Sequence, residues 1–361
     1  MTSERIPLAD LVAFCATAFR ACDVPAAAAD EAAQALCYAD EVGLDTHGAI
    51  NLERIYVPRL VAGIIDPRAT PTILAQAPAV ARFDGRGGLG LVVGTRAIDE
   101  AIARARACGV ALVVVANSSH LGSVGYYASR ATAHGMIGIA MTNLGGQAIA
   151  PPPGGLEPML GTNPIAAAAP AGERADFVLD MSTTVVSTGR VRAAARAGEQ
   201  APEGWLVDAA GAAVTDPAAY DRGEAQLQWL GGGAQTGGYK GFGLGILVEI
   251  LCAVLSGAQD APTAGAAEVS DYDVGHFFLA IDIAALRPAA TFEAAMATML
   301  DTLVACPARP GTSVQYPGLP EDATRRERRR LGVPLEHEVR ASLDRVATSL
   351  GIPPLRPLVE R

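Results

Sequence analysis

Between about residue 70 and residue 300, short β-rich runs alternate with helical stretches, while both chain ends show helical spacing alone. The runs are Ala79–Phe83, Val110–Ala116, Ile137–Thr142, Phe177–Met181 and Phe277–Ile283; the helical stretches are Thr95–Ala107, Val124–His134 and Gly243–Leu255. This interleaving predicts an α/β domain of mixed character. Toward the N-terminus, Pro7–Ala21 and Ala26–Val42 carry apolar residues at i+3/i+4 spacing and few strand formers. Gly43 is placed to cap the second helix, and a third, Ala49–Val57, is expected to end or kink at Pro58. Helix returns at Phe292–Val304 and Leu335–Leu350. The expected architecture is a helical domain built from residues 1–70 and 300–361, packed on an α/β domain of residues 71–299.

Composition removes several classes of function. With 50% hydrophobic and 18% charged residues, a mostly disordered chain is excluded. A net charge of −10 argues against general affinity for nucleic acid or anionic membranes. The best apolar run, Leu244–Leu255, contains Glu249 and falls short of the ~18 residues a membrane helix needs. The start, Met1-Thr-Ser-Glu-Arg, has no apolar leader segment. Six cysteines show no metal spacing and are expected to be reduced, mostly buried thiols of a cytoplasmic protein; no metal is expected.

The basic residues carry a sharper signal. Of 28, one is Lys, at position 240, and the rest are Arg. A codon bias toward Arg explains the depletion, but it would remove Lys240 too unless the site tolerated nothing else. Lys is a compact donor that can lose its proton, and Arg is bulky and always charged. A sole Lys inside Gly237-Gly-Tyr-Lys-Gly-Phe-Gly243 is therefore a functional candidate.

Among the motifs, Gly85-Arg-Gly-Gly-Leu-Gly90 matches a dinucleotide fingerprint in spacing and context. It lacks the acidic residue that should end the next strand, since Val110–Ala116 runs into Asn117-Ser-Ser-His120. Gly232–Lys240 resembles a phosphate loop superficially: Tyr239 separates Gly238 from Lys240, and Gly241 stands where Ser or Thr must bind magnesium. The stronger signal is Asn117-Ser-Ser-His-Leu-Gly-Ser-Val-Gly125, a strand end delivering His120 beside glycines that admit a ligand. His134 sits near a helix end, His276 fits an interior group as well as a site, and His337 lies in the polar tail. Asp45-Thr-His-Gly48, followed by Asn51, Arg54 and Arg59, suits a carboxylate pocket, although Thr46 could simply cap a helix. The run Arg325–Arg330 is expected to be a solvated helix face. No Ser-His-Asp order is evident.

Eight segments in order resemble the malate/L-lactate dehydrogenase family, whose relatives include ureidoglycolate, sulfolactate and diketogulonate dehydrogenases and cyclic ketimine reductases. They are Asp45-Thr-His-Gly48, Asn117–Gly122 with Gly125-Tyr-Tyr127, Gly135–Asn143, Leu160-Gly-Thr-Asn-Pro164, Leu179-Asp-Met-Ser-Thr183, Pro202-Glu-Gly-Trp205, Gly238–Leu244 and Val274-Gly-His-Phe-Phe278. The resemblance spans about residues 5–320 and implies a non-Rossmann, mixed-sheet domain that binds NAD or NADP, and a homodimer. It implies that His120 is the catalytic acid/base, with Lys240 beside the cofactor. Thr46, His47, Arg54, Thr162 and Asn163 then fall to the substrate. Asn143, Asp180, Met181, Ser182, Gly241, Pro317 and Gly318 fall to the cofactor. Three positions depart from the family pattern: Thr46 replaces Ser, Asn51 replaces an Arg, and Thr188 stands where a basic residue is frequent. The last favours NAD over NADP.

The function implied is hydride transfer at C2 of a small 2-hydroxy or 2-oxo acid. The alternatives are reduction of a cyclic imine such as piperideine- or pyrroline-2-carboxylate, a catalytically silent nucleotide-binding protein, and a cofactor-free lyase.

Overall fold

A computed structural model describes residues 4–233, 235–264 and 273–356. Ala234, within the Gly232–Lys240 segment, and the first three residues lie outside that set. The chain opens with β1 (Glu4–Ile6), α1 (Leu8–Ala21) and α2 (Ala26–Val42), the last closed by Gly43 at φ 88°, as its sequence predicts. The next segment departs from a plain third helix. A 3-10 turn over Asp45–His47 and a π-helical turn over Leu52–Tyr56 lead into α3 (Val57–Val61). Pro58 falls in the first turn of α3, where its missing N–H costs nothing, so the helical path continues through it.

The middle of the chain forms β2 (Thr72–Ala77), β3 (Val80–Asp84), α4 (Gly90–Cys108), β4 (Val110–Ser118), α5 (Val124–Thr132), β5 (Met136–Thr142), β6 (Ile165–Ala169) and β7 (Phe177–Met181). A small lobe follows, with α6 (Thr188–Ala197), β8 (Leu206–Val207), β9 (Ala213–Val214), α7 (Ala218–Asp221) and β10 (Gln226–Leu227). The chain then runs through α8 (Gly238–Glu249), a π turn over Ile250–Val254, β11 (Val274–Asp282), α9 (Ala289–Val304), α10 (Leu319–Leu331), β12 (Val333–Leu335) and α11 (His337–Leu350).

The seven-stranded sheet has the order β2-β3-β4-β11-β5-β6-β7, with β3 and β4 parallel and every other pair antiparallel. It is the mixed sheet that the alternation predicts. Period-two alternation sorts β4 and β11 between two cores. Val113, Val115 and Phe278 face the main core shared with α1, α2, α4 and α5, while Val114 and Phe277 meet Val248 and Cys252 under α8. The chain ends meet where β1 pairs antiparallel with β12.

One expectation fails here. The arginine run is not merely solvated: Arg328 on α10 is buried and forms a bidentate pair with Asp45, and Arg329 pairs with Glu41 of α2. Arg325 lies over the Tyr38 ring. The run fastens α10 to α2 and to the turn that carries His47. Of the six thiols, four are buried, but Cys108 and Cys306 are exposed.

Candidate active site

The loop after β4 is held in place by the glycines before α4. Gly85 N–H donates to Ala116 O (2.8 Å), Gly87 N–H to Asn117 O (2.8 Å) and Gly90 N–H to Ser119 Oγ (2.8 Å). A Cβ on Gly90 would stand 2.0 Å from Ser119 O. The fingerprint therefore sits in a parallel β3-α4-β4 unit, but its donors hold the Asn117–His120 loop where a dinucleotide fold would hold phosphate. Its glycines serve His120 by letting two backbones touch.

His120 lines a cleft of about 980 Å³ together with His47, Arg54, Arg59, Asn143 and Thr162. Its Nδ1 lies 2.8 Å from the Tyr56 hydroxyl and accepts the Gly122 N–H at 3.2 Å, placing the ring proton on Nε2. Nε2 has no partner among the described residues. Burial, reinforced by the charges of His47, Arg59 and His276, pushes the His120 pKa down to about 3, so the free protein holds a neutral imidazole. Burial of Tyr56 raises its pKa and keeps its hydroxyl neutral. Tyr56 was not visible as a site residue, because an aromatic in an apolar helix also fits a core position. Its buried hydroxyl needs a partner, and His120 is that partner.

His47 Nδ1 lies 2.9 Å from Thr46 Oγ1, and burial lowers its pKa, opposed by Asp180 and aided by Arg54. Gly189 in the first turn of α6 faces Thr46, where a Cβ would stand 3.1 Å away. Asn51 is buried and donates Nδ2 to Thr46 O at 3.2 Å, so it braces the turn. The π turn brings Arg54 and Arg59, five residues apart, to the same cleft. Arg192 of α6 and Tyr220 of α7 also line it and were missed; on an amphipathic helix a cleft arginine and a solvated one look alike.

The cleft floor rests on a buried carboxylate. Glu249 accepts from Asn143 Nδ2 (3.0 Å), Asn163 Nδ2 (2.7 Å) and Ala261 N–H (3.0 Å), and burial raises its pKa. Asn143 also donates to Gln259 O, and its Oδ1 accepts from Gly145 and Gly275 N–H. Its carboxamide is thus fully engaged, and the remainder of the residue is what meets the cleft. Asn163 is fully buried behind Thr162, at φ 39°, with Oδ1 lacking a partner. His276 is an interior group, with Nδ1 2.8 Å from Thr142 Oγ1 and Nε2 2.8 Å from Ser118 Oγ.

The remaining candidates lie outside this cleft. Asp180 on β7 accepts from Ser123 Oγ (2.7 Å) and Gly125 N–H (2.8 Å), placing a carboxylate at the start of α5. Met181 and Ser182 follow it, and Ser182 Oγ donates to Thr184 O. Pro317 O accepts the Val178 N–H, and Gly318, at φ 102°, has no room for a side chain against Asp176 O, so both run beside β7. Gly241 is packed against Leu230 and Thr183 backbone. Lys240, in the first turn of α8, is exposed with Nζ 5.9 Å from the Tyr239 ring centre.

Among the described residues no group of three or more His, Cys, Asp and Glu is placed to hold a metal, and no helix is long and apolar enough to cross a membrane.

A model of the family described as malate/L-lactate dehydrogenase matches residues 6–344. The chain is 35% identical over 349 residues to a malate dehydrogenase of Pyrococcus abyssi, covering 96% of this chain and 95% of the relative. It is 32% identical to an L-sulfolactate dehydrogenase of Methanocaldococcus jannaschii, covering 87% and 88%. Among solved structures, malate dehydrogenase from Entamoeba histolytica superposes with a TM-score of 0.91 at 29% identity, covering 97% of this chain and 99% of that one.

Proposed function

This chain belongs to the malate/L-lactate dehydrogenase family, and on that premise we propose that it moves hydride to or from C2 of a small 2-hydroxy/2-oxo acid, with His120 as the proton-transfer group. The observation that carries this reading is the cleft-lining imidazole, held at Nδ1 by Tyr56 and Gly122, with no partner on Nε2 among the described residues. In reduction Nε2–H protonates the alkoxide forming at C2. In oxidation the ring takes the hydroxyl proton at Nε2, which requires the other tautomer, with Nδ1–H donated to the Tyr56 oxygen. The hydroxyl of Tyr56 serves either tautomer, since it can donate or accept. Positioned proton transfer is worth about 10²–10⁴-fold.

A nicotinamide cofactor, when bound, supplies the hydride. The cleft is larger than a three- or four-carbon acid fills, and its Thr142–Gly146 side is uncharged, which suits a nicotinamide amide. Asn143, Asp180, Met181, Ser182, Gly241, Pro317 and Gly318 are assigned to holding the cofactor, and Lys240 to placing it or polarising the substrate carbonyl. Thr46, His47, Arg54, Thr162 and Asn163 are assigned to the substrate side. NAD is preferred to NADP because Thr188 puts an uncharged hydroxyl at the start of α6, within the cleft lining.

The chain is proposed to work as a cytoplasmic homodimer. Ile246, Leu247, Ile250, Val254 and Leu255 are all exposed along α8 and its π turn, an apolar face that a second copy would cover. Light scattering should then give twice the 37.0 kDa chain mass.

Thermal melting with NADH, NADPH and neither tests the cofactor reading. A nucleotide at ~100 times its Kd stabilises by about 2.7 kcal/mol. No shift at millimolar nucleotide would overturn the dehydrogenase reading.

A further inference from the structure

Glu249 is the charge that interrupts the apolar run Leu244–Leu255, and it closes α8 as a buried carboxylate. A buried ionised group needs donors for its oxygens, and here they come from three separate segments bordering the cleft. Oε1 accepts from Asn143 Nδ2 and from the Ala261 N–H, both at 3.0 Å, and Oε2 accepts from Asn163 Nδ2 at 2.7 Å. Neither carboxamide can turn over. Asn163 Nδ2 also donates to Gly245 O at 3.0 Å, so a flipped amide would set its oxygen against that carbonyl. Asn143 Nδ2 also donates to Gln259 O at 2.8 Å, and its Oδ1 already accepts from the Gly145 and Gly275 N–H groups. Both Glu249 oxygens must therefore be acceptors, a demand that a carboxylate meets and a carboxamide fails. The bonds run on toward His120. Asp273 accepts the Gln259 N–H at 3.0 Å and, with its other oxygen, the N–H of Asn117, which opens the Asn117–His120 loop.

We propose that Glu249 is a positioning residue for the reaction: without touching substrate or cofactor, its carboxylate sets the separation of the two walls between which hydride passes. The inference rests on the dehydrogenase reading, in which Asn143 is assigned to the cofactor side and Thr162 and Asn163 to the substrate side. One carboxylate then holds both sides, so its geometry governs their spacing and not the affinity of either ligand. Transfer is steep in distance, and a displacement of about 1 Å can cost about 100-fold. Glu249→Gln keeps size and shape, but its NH2 must oppose either the Asn163 amide or the Asn143 and Ala261 donors, and one wall moves. Glu249→Asp keeps both acceptors on a tether one methylene shorter. A group that merely fills space and a group that positions order these variants oppositely. Filling favours neutral, isosteric Gln, which buries no charge and leaves no cavity. Positioning favours Asp.

The test is steady-state kinetics of wild type, Glu249→Asp and Glu249→Gln on a 2-oxo acid that the wild type reduces. NADH and NADH deuterated at the transferred position are compared, and NADH-induced melting shifts give a readout independent of turnover. In Glu249→Gln kcat should fall about 10–100-fold, and in Glu249→Asp by less, with KM for NADH and for the acid within about threefold of wild type. The isotope effect on kcat should be no smaller than in the wild type, and the melting shift should be retained. A kcat for Glu249→Gln within about threefold of wild type, or above that of Glu249→Asp, would overturn the inference. So would a loss carried by either KM or by a vanished melting shift, which would make Glu249 a binding or purely structural group. A smaller isotope effect would place the loss in another step and overturn it too. Should Glu249→Gln not fold, Glu249→Asp decides alone: kcat must fall at least about threefold with both KM values kept, and an unchanged kcat overturns the proposal. Absence of wild-type turnover on every acid would overturn the dehydrogenase reading itself and this role with it, an outcome visible in the wild type before any variant is made.

Discussion

The Tyr56 hydroxyl lies 2.8 Å from Nδ1 of His120, a residue 64 positions away in the chain. Tyr56 closes the π turn and His120 lies in the connection between β4 and α5, so this bond locks the helical segment around His47 to the sheet. It also fixes the imidazole plane. Tyr56→Phe removes the hydroxyl at nearly constant volume and leaves Nδ1 with the Gly122 N–H alone. We predict a fall in kcat of about tenfold, with the KM of the acid within about threefold. Steady-state kinetics on the purified variant checks it.

Gly90 supports the same loop from beneath. Its absent Cβ leaves room for Ser119 O, which would otherwise stand 2.0 Å away, too close for any rotamer to relieve. Gly90→Ala should therefore cost more than about 2 kcal/mol of stability and displace His120 as well. Urea denaturation of variant and wild type, alongside activity, measures both effects.

Behind the His47 turn, Asp40 is buried with Oδ2 accepting the Ala49 N–H at 2.8 Å. Burial, with Asp45 adding to it against Ala49 and Arg328, pushes its pKa up to about 7. The folded state therefore binds this proton more tightly than the unfolded chain does. The stability this contributes is full below pH ~4 and is lost as pH rises through 7, a loss on the order of 4 kcal/mol. Asp40→Asn keeps an acceptor for Ala49 and removes the titration. Its stability relative to wild type should rise from pH 5 to about pH 7 and level off above it in denaturant melts, and a constant difference would contradict the assignment.

Arg328 donates to Asp40 O and pairs bidentately with Asp45 at the entrance of the same turn. Arg328 is buried but the Asp45 side chain is about half exposed, so water takes up part of the charge left behind, and losing these contacts costs about 1–2 kcal/mol. Arg328→Ala should lose stability of that order and raise the KM of the acid, because the turn carrying Thr46 and His47 loosens. Chemical denaturation and kinetics at fixed nucleotide decide it.

The free-enzyme pH profile follows from the depressed His120. A base that stays neutral down to about pH 3 gives kcat/KM for oxidation no acid limb from His120 between pH 5 and pH 8. An acid limb near 6.5 that vanishes in His120→Gln would contradict that environment.

Much of the frame was legible because local signals agreed with tertiary demand. Ala26–Val42 has helical spacing with a glycine stop, and the helix occupies those bounds. Phe177–Met181 is likewise a strand over the span its β-rich composition marks. β6 was not legible, since Ile165–Ala169 is one isoleucine and four alanines, which favour helix in isolation; pairing with β5 and β7 overrides that preference. The π turn was also hidden. Its i+5 hydrogen bonding leaves no mark on composition, yet it sets where Arg54 and Tyr56 point. At the site, His120 and the His47 turn were readable from polar residues gathered at a strand end and a helix junction. Arg192, Tyr56 and the Glu249 hub were not, because each acts through residues distant in the chain. The glycine fingerprint misled for a physical reason: a strand-to-helix turn packed against another backbone needs the same small residues as one packed against phosphate.

The most direct test follows nicotinamide absorbance while wild type and His120→Gln meet a panel of 2-oxo acids that includes oxaloacetate, sulfopyruvate and pyruvate. The account predicts NADH oxidation by the wild type on at least one acid, and a loss of about 100-fold or more in His120→Gln. The NADH-dependent melting shift should be retained in the variant. Turnover by His120→Gln within about threefold of wild type would contradict the central role given to this imidazole.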